Sequence, residues 1–101
     1  MQLIYFETAR DSHDNDDLHA TAVADMRVLA EETDGFVMWR DRDEGLTYWG
    51  VVVFDNEEAA VKWSTHPDHA RIHNLAEGGL YASIRTIAFD SVRDKSYRDE
   101  A

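Results

Sequence analysis

Leu46-Thr47-Tyr48-Trp49-Gly50-Val51-Val52-Val53-Phe54 reads as a β-strand, rich in β-branched and aromatic residues and free of proline. Side chains alternate along a strand. Tyr48, Val52 and Phe54 therefore fall on one side, and Trp49, Val51 and Val53 on the other. Neither side is polar, so the sheet that holds this strand must be covered on both faces.

The neighbouring segments fix what that sheet is. Upstream, Phe36–Arg40 is a second strand, joined to the first by Asp41-Arg42-Asp43-Glu44-Gly45 as a hairpin loop with glycine at its end. Before it, Leu18, Ala22, Met26 and Leu29 recur at helical spacing, with Val23 and Ala30 beside them. Asp16 or Asp17 is the expected N-cap of that helix, and Thr33-Asp34-Gly35 its end. Gln2–Thr8 is the first strand of the chain, and Arg10–Asp17 is a polar, solvated loop. Downstream, Asp55 or Asn56 caps a second helix with Glu57 and Glu58 in its first turn. Pro67 suits the first position of a helix and not its middle, so this helix steps near Ser64–His66 and restarts. Gly78-Gly79 ends it, and Leu80–Phe89 is the last strand. The expected domain is 1–93, followed by a polar tail, 94–101.

The order is β-α-β-β-α-β, the split βαβ pattern of an α+β ferredoxin-like fold. Two helices cover one face of a four-stranded antiparallel sheet. The other face is apolar in every strand that can be judged: Leu3 and Tyr5 oppose Ile4 and Phe6, and Phe36 and Met38 oppose Val37 and Trp39. Soluble monomers avoid exposing such a patch. A homodimer packed through its sheet faces, with two-fold symmetry, resolves the problem.

Composition narrows the function. The chain has 101 residues, 44% hydrophobic and 31% charged, which suits one globular domain. Without cysteine it has no disulfide, thiolate metal site or cysteine nucleophile. A net charge of −11 disfavours nucleic acid and anionic membranes as partners, because both bind through lysine and arginine. No apolar run approaches the ~20 residues that span a bilayer. The start, Met1-Gln2-Leu3-Ile4-Tyr5-Phe6-Glu7, lacks the basic region of a signal peptide, so a cytoplasmic protein is expected.

The element order, Asp34-Gly35-Phe36, the strand end Val53-Phe54, and the run Ala59…Trp63-Ser64-Thr65-His66-Pro67-Asp68-His69 resemble the antibiotic biosynthesis monooxygenase (ABM) superfamily of dimeric α/β-barrel proteins. The resemblance spans about residues 2–93. It implies two chains sharing one barrel, each with a cavity between its sheet and its helices. The superfamily includes cofactor-free quinone-forming monooxygenases, haem-degrading enzymes, isomerases and proteins of unknown activity.

The first of these activities needs a base, aromatic walls and a group that stabilises an oxyanion. His69 or Glu7 can accept the proton; Trp63, Trp49, Tyr81 and Phe6 can wall the site; Arg85 can stabilise an anion or pair with Glu7. Trp63 can equally pack the second helix onto the sheet. His66 either joins the ligand-binding set or caps a helix. The expected function is thus oxidation of a small aromatic or polycyclic phenol by O2 without a cofactor. Haem binding or degradation is an alternative, since the haem-degrading branch places an iron-ligating histidine about three turns after a helical tryptophan, as His73 follows Trp63. Its third residue, an asparagine in the first strand, is matched here by Glu7, which cannot donate the amide hydrogen bond. A non-catalytic dimeric domain holding a small apolar ligand is a further alternative.

Overall fold

A computed structural model describes residues 1–99; the last two residues of the expected tail lie outside the described residues. Strands β1 (Gln2–Ala9), β2 (Phe36–Glu44), β3 (Thr47–Phe54) and β4 (Ser83–Asp90) form one antiparallel sheet in the order β2-β3-β1-β4. Helices α1 (Asp16–Glu31), α2 (Glu57–Thr65) and α3 (Pro67–Leu75) all lie on one face. A wide turn, Ala76–Leu80, leads into β4. This is the ferredoxin-like α+β fold. Among the described residues no helix is long and apolar enough to cross a membrane.

The second helical segment breaks where proline requires it. His66 leaves helical geometry at φ −60°, ψ 139°, the extended conformation a residue before proline prefers, and α3 starts at Pro67. The step yields two helices, α2 and α3, where a single stepped one was expected after β3. Asn56 caps α2 through its side chain, which accepts from the Ala59 N–H at 2.9 Å. The start of α1 differs from expectation. Asn15 occupies the cap without a side-chain bond, and Asp16, one residue in, is held by Arg10 at 2.6 Å.

Two other expectations need correction. Asp41–Glu44 continues β2 instead of forming a loop, and the hairpin closes through Gly45-Leu46 alone. Gly45 has φ +70° at the first turn position, the placement of a tight II′-type hairpin, so a two-residue turn suffices. A bulge between Phe36 and Met38 also resets the face of β2. Phe36 and Trp39 both point to the helices, where strict alternation would have separated them.

The core lies between this inner face and the helices. Trp39, Val52, Phe54, Ala59, Ala60 and Trp63 are its buried centre. A smaller cluster of Ala22, Ile72 and Leu80 joins α1 to α3. Gly50 leaves room for Phe6 on the neighbouring strand: a Cβ there would meet the Phe6 ring at 2.5 Å. Gly50→Ala is therefore expected to push Phe6 out of place and cost ~1–3 kcal/mol as an overpacking change, read as a lower urea midpoint. An unchanged midpoint would show that the ring moves aside freely.

Candidate functional site

The inner face does not fill completely. Between it and the helices lies a cavity of about 370 Å³. The sheet contributes Ile4, Phe6, Thr8, Trp39, Tyr48, Ile84 and Thr86 to its wall; the helices contribute Met26, Trp63, His69, Ile72 and His73, and Tyr81 closes one end. Most of this wall is apolar.

Trp63 is 5% exposed and organises the helical side. Its indole N–H donates to the Met26 carbonyl on α1 at 3.2 Å. Its ring meets Trp39 at 6.3 Å, Phe54 at 5.7 Å and His69 at 4.5 Å, the last edge-on at 89°. His69 follows Trp63 across the proline step, which brings the start of α3 back over the end of α2. Burial, and after it the neighbouring His73 and His66, push the His69 imidazolium down to about 4, so the ring is neutral at pH 7. Its Nδ1 is buried with no hydrogen-bond partner among the described residues. Nε2 is left as the nitrogen that can meet a ligand.

Two other buried polar atoms lack a partner among the described residues: Thr8 Oγ1 and Trp39 Nε1. Both residues, like His69, line the cavity. Buried polar groups are nearly always hydrogen-bonded, and exceptions call for an explanation. Their concentration in the wall of one apolar space makes that space the candidate site.

Of the residues the sequence proposes, Trp63, His69, Phe6, Tyr81 and His73 line this cavity, whereas Glu7, Arg85, Trp49 and His66 do not. Glu7 is paired across the sheet with Trp49 on one side and Arg85 on the other, so the three share the outer face, away from the helices. Tyr5, two residues from Glu7 and on that same face, donates its hydroxyl to Glu7 Oε2 at 2.7 Å. The placement follows from strand parity: Phe6 faces the cavity, so Glu7 cannot. His66 sits at the proline step, and its Nδ1 accepts from the Asp68 N–H at 3.1 Å, as a cap.

The same parity bears on haem. Trp63 and His73 are at the cavity, but the first-strand position that the haem-degrading pattern requires is Glu7, on the far side of the sheet. The residues present do not fit that constellation.

A polar cluster at one end of the cavity was not expected. His19 lies in the first turns of α1, beside the acidic loop, and is 3% exposed. Its Nδ1 is 2.6 Å from the Tyr81 hydroxyl and its Nε2 is 2.9 Å from Asp43 Oδ1. Tyr48, edge-on to His19 at 5.2 Å, donates to Asp41 Oδ2 at 2.9 Å. Burial is the main cause that raises both tyrosines, Tyr81 to about 12. The sequence held a signal: residues 19, 22 and 26 share one face of a helix, and Ala22 and Met26 are inward.

No protein-family model matches this chain, and no curated protein matches it. Solved structures do. A protein from Deinococcus radiodurans described as a candidate antibiotic biosynthesis monooxygenase superposes with a TM-score of 0.82 at 10% identity, covering 98% of this chain and 100% of that one. The chain shares its fold with these structures. SnoaB, a cofactor-independent oxygenase from Streptomyces nogalater seen as a point mutant, shares the fold with a TM-score of 0.72 at 12% identity over 92% of this chain and 93% of that one. Rv0793 from Mycobacterium tuberculosis shares it with a TM-score of 0.78 at 9% identity, over 95% and 100% of the two chains.

Proposed function

We propose that this protein is a cofactor-independent monooxygenase that oxidises a small aromatic or polycyclic phenol with O2. The observation that carries the reading is a neutral His69, edge-on to Trp63, in an apolar cavity whose unpartnered polar atoms belong to its own wall. The similarity to SnoaB, described as a cofactor-independent oxygenase, supports it at the level of the fold.

The chemistry needs little from the protein. A phenolic substrate loses a proton, and the resulting anion passes an electron to O2. The two radicals join as a peroxide anion, which takes back a proton to become a hydroperoxide and then loses water to leave a quinone carbonyl. One oxygen atom enters the product and the other leaves as water, with the substrate supplying all the electrons. Phe6, Trp39 and Trp63 hold the flat rings. His69, kept neutral, presents Nε2 to the developing anion or to the departing proton. Its charged form would be poorly tolerated there, because the cavity solvates charge badly.

Anthrone-type phenols are the substrates to test, with O2 uptake and quinone absorbance as readouts. Turnover that falls at least tenfold in His69→Ala and Trp63→Phe supports the reading. Turnover unchanged in both removes the site assignment. Apolar phenols that raise the melting temperature without turnover would indicate a binding domain instead. A sharp Soret shift with hemin, lost in His73→Ala, would revive the haem alternative.

The reading includes a homodimer through the outer face of the sheet. That face carries Trp49 at 37% exposure, Met38 at 39% and Phe89 at 51%, with Tyr5 and Val51 between them. Sedimentation equilibrium is expected to show a dimer, and Val51→Asp, which puts a charge in its centre, a monomer. A wild-type monomer at tens of micromolar would overturn this.

A further inference from the structure

The end of the cavity that Tyr81 closes is backed by charge-bearing groups that the reaction above does not use. Behind Tyr81 lies His19, which does not itself line the cavity, and behind His19 lies Asp43. The three belong to different elements: His19 to α1, Asp43 to β2, and Tyr81 to the segment ahead of β4. Their meeting is therefore a product of the tertiary fold.

The direction of each hydrogen bond follows from the groups. A carboxylate only accepts, so the 2.9 Å contact to Asp43 requires the proton on His19 Nε2. In the neutral ring Nδ1 is then bare. The 2.6 Å contact to Tyr81 must accordingly be made by the phenol O–H donating to Nδ1. The Tyr81 oxygen keeps its lone pairs for a second partner. Asp43 reaches solvent: its side chain is 57% exposed, whereas that of His19 is 4% exposed. The chain of bonds runs from the cavity wall to water.

We propose that Tyr81, His19 and Asp43 form a proton relay that carries the substrate's proton out of the cavity. This deepens, and rests on, the monooxygenase reading. As a substrate O–H breaks, its proton passes to the Tyr81 oxygen, while the Tyr81 proton passes to His19 Nδ1. The products of that step are a substrate anion, an unchanged tyrosine, and a histidinium whose charge is matched by the Asp43 carboxylate. No electron moves. Return of the Nδ1 proton through Tyr81 to the peroxide anion, which needs one proton to become the hydroperoxide, restores the neutral ring with its proton on Nε2 and resets the relay. Tyr81 touches the substrate; His19 holds the proton, and Asp43 positions the ring and balances its charge.

The groups facing His19 are consistent with this use. Asp43 comes from β2, Tyr48 from β3 and Tyr81 from the segment before β4. Arg10, 8% exposed just past the end of β1 and held by Asp16, adds a positive field that opposes the effect of burial on Tyr81. The relay leaves His69 for a different task, stabilising the anion once it forms.

Two measurements on the full chain decide the matter. The first needs no substrate. Histidine ¹⁵N shifts of the wild type at neutral pH are expected to show His19 protonated on Nε2 and bare at Nδ1. The opposite tautomer overturns the relay. The second uses an anthrone-type phenol and O2. Tyr81→Phe keeps the ring in the wall and removes the hydroxyl, so kcat is expected to fall ~100-fold with KM changed less than about threefold, the scale of a lost general base. His19→Gln and Asp43→Asn are expected to lower kcat in the same way, with their melting curves reported alongside to show that they fold. Folded variants with unchanged kcat overturn the relay and leave the monooxygenase standing. Absence of turnover in the wild type counts against the monooxygenase, and the tautomer then decides for or against the hydrogen-bond chain on its own.

Discussion

Trp63→Ala is expected to remove ~3–5 kcal/mol of folding free energy, the usual range for a buried large aromatic cut to alanine. Few side chains in the protein hold as many elements together. Trp63 is on α2, and its ring touches Trp39 on β2, Phe54 on β3 and His69 on α3, while its N–H is bonded to α1. Truncation opens a void where those elements meet and removes the indole hydrogen bond to the Met26 carbonyl. A domain of this size has only ~5–15 kcal/mol in total, so the variant is expected near the edge of folding at physiological temperature. Urea denaturation followed by far-ultraviolet circular dichroism is the measurement, because the substitution also removes a fluorophore. Trp63→Phe retains most of the ring and loses the hydrogen bond, and ~1–2 kcal/mol is expected. A loss below ~1 kcal/mol in Trp63→Ala would mean that the cavity beside it collapses without cost. The packing duty of Trp63 and its place in the cavity wall are not rivals: a wall is rigid because its residues are also core.

The fold was legible because its signals are long-range patterns. The order of strands and helices, the glycine-rich end of the last helix and the proline step all follow from periodicity and backbone chemistry, which do not depend on distant partners. The two-sided oiliness of β3 was legible for the same reason. The site was only partly so. Trp63 and His69 are near neighbours in the chain with a proline between, but nothing in that spacing says that the step sets their rings edge-to-face at 4.5 Å. Glu7 and Arg85 were drawn to the site by their chemistry, yet a strand offers each residue one face, and the parity that puts Phe6 inside puts Glu7 outside. Phe36 and Trp39 share a face through a bulge that no alternation rule anticipates. His19 was hidden by its company. Its neighbours in sequence are acidic and exposed, while its partners, Tyr81 and Asp43, are 62 and 24 residues away. Polar clusters assembled from several elements are the least visible class of feature in one sequence, since no local pattern encodes them.

Acid is expected to destabilise this protein through His69 before it protonates most carboxylates. The folded ring resists protonation down to about 4, because it is buried and flanked by His73 and His66. In the unfolded chain it takes a proton near 6.5. Between those values the unfolded state binds the extra proton, so stability rises with pH. The contribution is complete above about 6.5 and is lost as the pH falls toward 4. A shift of that size would be worth ~3 kcal/mol at full strength, and solvent reaching a half-buried ring reduces it to ~1–2 kcal/mol. The clean measurement is a difference. Between about pH 7 and 4 the urea midpoint of the wild type is expected to fall relative to that of His69→Phe, with the phenylalanine keeping the edge-on contact to Trp63 but taking no proton. Parallel curves would mean that the histidine is solvated in the folded state, and a solvated imidazole would not stay neutral in the way the proposed chemistry requires. The same protonation is expected to weaken binding of an apolar phenol below about pH 5, since a charged ring in the wall must be hydrated. Acid stability and ligand affinity are thus expected to fail together, from one proton on one side chain.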